Sequence, residues 1–180
     1  MAAKPFNTFV EAANSGPFDE RPMLLTDVDP QLHLSRNDRP QPFYLVCQKD
    51  SVIVQVSGEG RVDFSEGSVR FFPVEPGDFV YVPAGMPHRI IPDGDSIQYR
   101  FKAREPGLEG TAWFCAKCQS EVARRTWDTA VKLPQEGYQE TCEWFNDDEA
   151  NRTCATCGEI HPPADTSGVR WKEIVAELRS

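Results

Sequence analysis

The sequence predicts an antiparallel β-sandwich or barrel with a small metal-binding module near its C-terminal end. Three observations predict it: a train of short β-branched and aromatic runs between Phe43 and Ala103, turn signals between those runs, and two CxxC pairs beyond them. The runs are FYLVC, SVIVQV, RVDF, SVRFFPV, DFVYVP, HRII and SIQYRFKA, which makes seven or eight strands. Gly58-Glu59-Gly60, Glu66-Gly67, Pro76-Gly77-Asp78 and Asp93-Gly94-Asp95 punctuate them as turns.

A chain of 180 residues, 39% hydrophobic and 26% charged, buries one ordinary core with a small appended unit. The expected division is an N-terminal helix and loop arm over residues 1–42, a barrel core over 43–110, and a metal module with a final helix over 111–180. In the arm, Asn7 is placed to cap a short helix running through Ala13, and Pro17, Pro22, Pro30, Pro40 and Pro42 keep most of the rest in loops. At the other end Val169, Ile174, Val175 and Leu178, with Trp171, mark one apolar helix face. A formal net charge of -9 argues against nucleic acid, whose binding needs clustered cations, and leaves a small molecule as the expected ligand class. No apolar run approaches the roughly 20 residues that cross a bilayer. The first sixteen residues hold no apolar core of signal-peptide type, so the expected compartment is the reducing cytoplasm.

That compartment decides how the cysteines are read. Cys115-Ala116-Lys117-Cys118 and Cys154-Ala155-Thr156-Cys157 each let two sulfurs turn inward from one tight loop, and together they supply four thiolates to a tetrahedral ion. Two disulfides are the competing reading, favoured only by an oxidising compartment. Gly158 suits the second knuckle, whereas Gln119 stands at the matching place in the first. Full thiolate ligation leaves no open position, so the ion's expected role is structural, and spacing does not choose between Fe and Zn. Cys47 and Cys142 are expected to be small buried thiols.

One segment of the strand region carries more than periodicity. Gly77-Asp-Phe-Val-Tyr-Val-Pro83-Ala-Gly85-Met-Pro-His88 matches G(x)5PxG(x)2H, the second motif of the cupin superfamily, and the resemblance implies a jelly-roll barrel with His88 pointing inward. Pro92 stands where that superfamily often has Asn. Nearly end to end, the chain resembles the 3-hydroxyanthranilate 3,4-dioxygenase family, single-domain cupins with an appended two-CxxC site. The matching segments are Lys4-Pro5-Phe6-Asn7, the PHR around His88, Trp113-Phe114-Cys115-Ala116-Lys117-Cys118, and Phe145 through Asp148-Glu149-Ala150-Asn151-Arg152-Thr153-Cys154. The resemblance implies ring opening of an aminophenol by Fe(II) and O2, with the iron on two His and one Glu.

At those positions the sequence departs from its relatives. Alignment puts Arg36 at the first metal histidine, Pro42 at the glutamate and Lys49 at the usual glycine beyond it, so His88 alone remains. A single imidazole is a poor Fe(II) site, and a guanidinium adds positive charge where a cation belongs. The family's substrate-binding glutamate falls on Arg100, and its two substrate-binding arginines fall on no arginine here.

Three readings follow. In the first, a cupin that has lost catalytic Fe(II) binds or transforms a small organic acid, with Arg36 and Arg100 facing its carboxylate and His88 as acid or base. In the second, His33, Asp38 and His88 form a shifted metal site in a working dioxygenase. In the third, the barrel is a noncatalytic interaction or sensor scaffold. A homodimer through exposed barrel edges is the expected assembly. His161, beside Pro162-Pro163, is read as a surface residue of the second knuckle.

Overall fold

The computed structural model describes residues 5–180, so Lys4 of the Lys4-Pro5-Phe6-Asn7 segment lies outside the described residues. A short helix α1 (Thr8–Ala12) opens it, capped by the Asn7 side chain, which accepts from the backbone N–H groups of Phe9 and Val10. Eleven strands follow among the described residues. They are β1 (Arg21–Pro22), β2 (Gln31–Asn37), β3 (Tyr44–Cys47), β4 (Ser51–Ser57), β5 (Gly60–Phe64) and β6 (Phe71–Val74). After these come β7 (Phe79–Val82), β8 (His88–Pro92), β9 (Ser96–Lys102), β10 (Leu108–Phe114) and β11 (Glu121–Asp128). Helices α2 (Pro134–Asp147), α3 (Glu149–Arg152) and α4 (Trp171–Arg179) complete the chain.

The strands form two antiparallel sheets facing each other, ordered β1-β2-β9-β4-β7 and β11-β10-β3-β8-β5-β6. Each run read from the sequence is a strand here, from FYLVC as β3 to SIQYRFKA as β9. The expected divisions move. Residues 31–37 leave the arm to become an inner strand of the first sheet, and β10 and β11 extend the second sheet, so the module of residues 111–180 is built onto the barrel through shared strands. Among the described residues no helix is long and apolar enough to cross a membrane.

The two sheets distribute polarity differently. The second turns Leu45, Val62, Ile90 and Trp113 into the core in the usual way. In the first, the buried inward residues include Gln31, Ser35, Ser51, Gln55, Gln98, Arg100 and Lys102. The register aligns apolar residues on its outer side: Leu32, Phe101, Val52 and Tyr81 form one row, and Leu34, Tyr99, Val54 and Phe79 the next.

An aromatic cluster joins the barrel to the C-terminal helices. The Phe43 ring packs on Tyr138 of α2 with centroids 5.1 Å apart, Tyr138 on Trp171 of α4 at 5.6 Å, and Trp113 of β10 stacks on Phe145 of α2 at 4.0 Å. Gly137 is required in α2, because a Cβ there would stand 2.2 Å from the Trp127 ring.

Candidate functional site

His88 reaches the interior by the turn that the sequence motif encodes. Gly77 and Gly85 adopt φ of +100° and +76°, in the left-handed region that side chains disfavour, and the chain then enters β8 at His88 with its ring fully buried. The ring Nδ1 lies 2.9 Å from the Met86 carbonyl oxygen, and Nε2 lies 2.5 Å from Nη1 of Arg100. Guanidinium can only donate, so Nε2 accepts and Nδ1 carries the proton that bonds Met86. His88 is thereby a neutral imidazole with both nitrogens engaged. Burial, followed by the adjacent Arg100 charge, pulls its pKa down to about 3.

Arg100 belongs to a larger buried set. Its Nε donates to Glu20 Oε1 at 2.6 Å, while Lys102 Nζ and the Tyr138 hydroxyl donate to Glu20 Oε2 at 2.7 Å and 3.1 Å. Burial would raise the Glu20 carboxyl, but Lys102 and Arg100 together hold it far below the usual carboxylate range. Lys102 also lies 3.0 Å from Glu109 Oε1, an ionic contact without hydrogen-bond alignment that leaves the Glu109 oxygens with unused acceptor capacity. Two cations face two carboxylates, so the interior is neutral as a set. Burial and then Glu109 push the nearby Cys47 thiol up to about 12, which makes it a buried, unreactive group.

Glu20 arrives on a segment held from several sides. Phe18 N–H donates to Asn37 Oδ1, Glu20 N–H to Ser35 Oγ, Gln135 Nε2 to the carbonyls of Asp19 and Glu20, and Trp171 Nε1 to the Phe18 carbonyl. Phe18 and Glu20 take φ of +53° and +45°, uncommon for side-chain-bearing residues and sustained here by that anchoring.

The second cluster lies at the far end of β10. Cys115 Sγ lies 3.6 Å from Cys157 Sγ and Cys118 Sγ 3.5 Å from Cys154 Sγ, with the four sulfurs within 4.8 Å of one another. A tetrahedral ion about 2.3 Å from each sulfur spaces them about 3.8 Å apart, so the set fits a metal. Both knuckles are built alike: Gln119 N–H returns to the Cys115 carbonyl and Gly158 N–H to that of Cys154, each residue with positive φ, +62° and +72°. All six cysteines are free thiols. Hydrogen bonds from Ser120 draw the Cys118 thiol down to about 6.

These features have counterparts in known proteins. The chain is 24% identical over 144 residues to the 3-hydroxyanthranilate 3,4-dioxygenase of Shewanella woodyi, covering 78% of this chain and 71% of that protein. It is 25% identical over 152 residues to the protein of that name from Jannaschia, covering 81% and 78%. The chain is a divergent relative of the 3-hydroxyanthranilate 3,4-dioxygenases. A cupin-2 domain protein from Shewanella frigidimarina superposes with a TM-score of 0.47 at 13% identity, over 54% of this chain and 93% of that one. No protein-family model matches the chain.

Against those relatives the sequence-derived site residues sort clearly. Arg100 and His88 meet in the barrel, but Arg36 does not join them. It occupies an outward position of β2, exposed, with its guanidinium on Asp95 at 2.7 Å and 2.8 Å. The strand's two-residue period puts Ser35 and Asn37 inside and Arg36 outside, which corrects the expected placement. Asp38 is likewise at the surface, held by Arg39 at 2.6 Å, so His33, Asp38 and His88 do not converge. The cysteine quartet is the one group of three or more metal-ligating side chains gathered among the described residues.

His33 lies on β2 and not in an exposed loop. Its Nδ1 is buried without a partner, and burial, then Lys102, lowers its pKa to about 4. His161 is half-buried, its ring edge on Phe145 at 5.3 Å. Cys47 and Cys142 are buried as expected.

The barrel residues do not fit Fe(II). The His88 nitrogen that could bind a metal instead accepts from Arg100, and any ion there would face that guanidinium. Sequence reasoning missed Glu20, Lys102 and Glu109. The alternation of Ser96, Gln98, Arg100 and Lys102 in SIQYRFKA was a legible sign of a polar inward face, whereas nothing near Glu20 announced its burial.

Proposed function

We propose that this chain is a cupin of dioxygenase ancestry whose barrel works without a metal, binding a small organic acid there and not oxidising it. The observation that carries the reading is the convergence of Arg100 Nε, Lys102 Nζ and the Tyr138 hydroxyl on one carboxylate, that of Glu20. The barrel thus already holds an organic acid's functional group, supplied by its own chain. Arg100 Nη2 is buried with no partner and offers a further donor to an incoming carboxylate. In this reading the ligand exchanges with Glu20, His88 orients Arg100, and the four cysteines carry a structural Fe or Zn. Six cysteines without a disulfide suit the cytoplasm.

The test is carboxylate rescue in metal-free buffer. Thermal midpoints of the wild type and Glu20→Ala are read against acetate, benzoate and 3-hydroxyanthranilate, with chloride as the ionic control. Acids are expected to stabilise both proteins, Glu20→Ala more strongly, and no oxygen uptake is expected with added Fe(II). Acids that stabilise Glu20→Ala and leave the wild type unmoved would overturn ligand binding, since Glu20 would then be a permanent internal partner. A barrel metal lost with His88→Ala would overturn the metal-free reading.

A further inference from the structure

An apolar recess lies where β1, β2, the turn after β9 and the start of α2 meet. Its volume is about 240 Å³, and Pro22, Ala103, Pro106, Leu133, Pro134 and Leu178 make its apolar walls. Two side chains bring unengaged polar atoms to this place. Gln135, only 1% exposed, donates through Nε2 to the carbonyls of Asp19 and Glu20 at 3.0 Å and 2.9 Å, which fixes the amide and turns Oε1 away from them. That oxygen is buried without a partner, and so is Nδ1 of His33, the other polar lining residue. Other polar groups around the recess are already engaged. Thr129 Oγ1 donates to the Gly107 carbonyl, Gln31 Nε2 to the carbonyls of Leu25 and Val28, and Arg104 at the rim is paired with Glu105.

We propose that this recess binds a small, flat, uncharged molecule carrying an N–H or O–H donor, with Gln135 Oε1 accepting from it. A buried acceptor with no donor is costly, so a ligand that supplies one gains more here than at an oxygen already in water. Apolar walls with a few convergent polar atoms are the usual make-up of a small-molecule site. Charge is disfavoured in both signs. A carboxylate would meet the Gln135 oxygen without a free cation beside it, because Lys102 is held by Glu20 and Glu109. A cation would meet the conditions that keep His33 neutral, where burial and then the Lys102 charge bring the imidazole pKa down to about 4. The neutral His33 ring adds Nδ1 as a second polar contact. Volume sets the size: a dry cavity of about 150 Å³ takes benzene, so 240 Å³ accommodates a fused bicyclic ring. The site goes beyond the acid reading, since its occupant is neutral and does not displace Glu20.

The probes are indole, which has one N–H, and indene, its counterpart of like shape without a donor. Binding to the full chain is followed by proton–nitrogen NMR, side-chain amides included, up to low-millimolar concentration. Indole is expected to shift the Gln135 side-chain amide and the backbone amides of Thr26 and Leu178. It is expected to bind roughly ten-fold more tightly than indene, the difference that one neutral hydrogen bond makes. Leu178 is 43% exposed on α4, so Leu178→Trp is expected to keep the wild-type circular dichroism while it fills the recess and removes the indole shifts. Leu178→Ala, which leaves the recess open, is expected to retain them. Benzoate added to the indole complex is expected to leave the indole shifts in place, which separates failure of this proposal from failure of the acid reading. No indole binding in the millimolar range would overturn the proposal. So would equal affinity for indene, or shifts that map away from Gln135 and persist in Leu178→Trp.

Discussion

The barrel around His88 and the knuckles around Cys115 are the two places where sequence motifs point to metal-ligating residues, and the structure engages those residues oppositely. In the knuckles, four like ligands converge from two loops, with all four sulfurs within 4.8 Å of one another. In the barrel, the lone pair of His88 Nε2 is occupied by the Arg100 guanidinium. The difference teaches that a motif can fix a turn without fixing a metal site. Gly77, Pro83 and Gly85 shape a turn that the barrel needs whatever it binds, so they hold His88 in place whether or not an ion is bound there. A cysteine quartet has no such second use: its four sulfurs gather in a geometry that suits a metal ion.

The sharpest way to break the comparison is to remove the barrel's internal carboxylate. Glu20→Ala leaves Arg100 and Lys102 facing each other in the core with only Glu109 to offset them. Urea denaturation is expected to show a loss of about 3–5 kcal/mol, the usual consequence of removing one partner from a buried ionic set. The matching experiment on the other centre is Cys154→Ser/Cys157→Ser. Metal analysis is expected to show one ion per chain in the wild type and none in this variant, and His88→Ala is expected to leave that ion in place. Hydrogen exchange in the cysteine variant should rise around residues 115–120 and 153–161 while β4 and β9 keep their protection.

Acid separates the regions next. The folded pKa of His88, about 3, lies below its ordinary 6.5, so the unfolded chain takes up the proton first. Stability is therefore full above about pH 6.5 and falls as pH drops toward 3. Between pH 7 and 5 the loss is about 2 kcal/mol for this one group. Glu20, with its pKa lowered, acts in the same direction below its ordinary value of 4.5. His88→Gln should flatten the slope between pH 7 and 5 in chemical denaturation, and an unchanged slope would show that His88 is not the neutral buried group its contacts require.

How much of this the sequence disclosed depends on which face carried the signal. The strands of the second sheet follow the apolar-in pattern, and the runs from Phe43 onward were legible as strands for that reason. Strand β2 was not, because QLHLSRN puts its polar residues toward the core and its leucines outward, and Arg36 was assigned to the wrong face along with it. Helix α2 was hidden by Pro134 and Gly137 and by a weak apolar face. Its glycine makes sense only once the Trp127 ring is seen against it. The gathering of the four cysteines was legible, since each CxxC loop turns its two sulfurs inward, while the contacts between the loops, Cys115 with Cys157 and Cys118 with Cys154, come from the fold. Glu20 was not legible at all: its burial depends on donors 80 and 82 residues away and on a backbone conformation that its own sequence disfavours.

A smaller change sharpens the knuckle side. Gln119 holds the left-handed position that Gly158 fills in the other knuckle, at a steric cost that glycine avoids. Gln119→Gly is expected to raise stability by about 0.5–1 kcal/mol in the metal-loaded protein without altering metal content.

The smallest expected effect is also the cleanest discriminator between the aligned site and the folded one. Arg36 and Arg100 were both placed against a ligand by alignment, yet Arg36 stands in solvent on Asp95 and Arg100 lies in the core on His88 and Glu20. An exposed ion pair contributes little because water and salt already screen it, so Arg36→Ala should leave both the thermal midpoint and any acid-induced shift unchanged. Arg100→Ala should abolish that shift, and Arg100→Lys should fail to restore it. An ammonium cannot reach Glu20 and His88 at once, as the planar guanidinium does through Nε and Nη1. If Arg36→Ala were instead the variant that lost the acid response, the acid would be bound on the outer surface of β2, and the barrel interior would be a closed core with no part in binding.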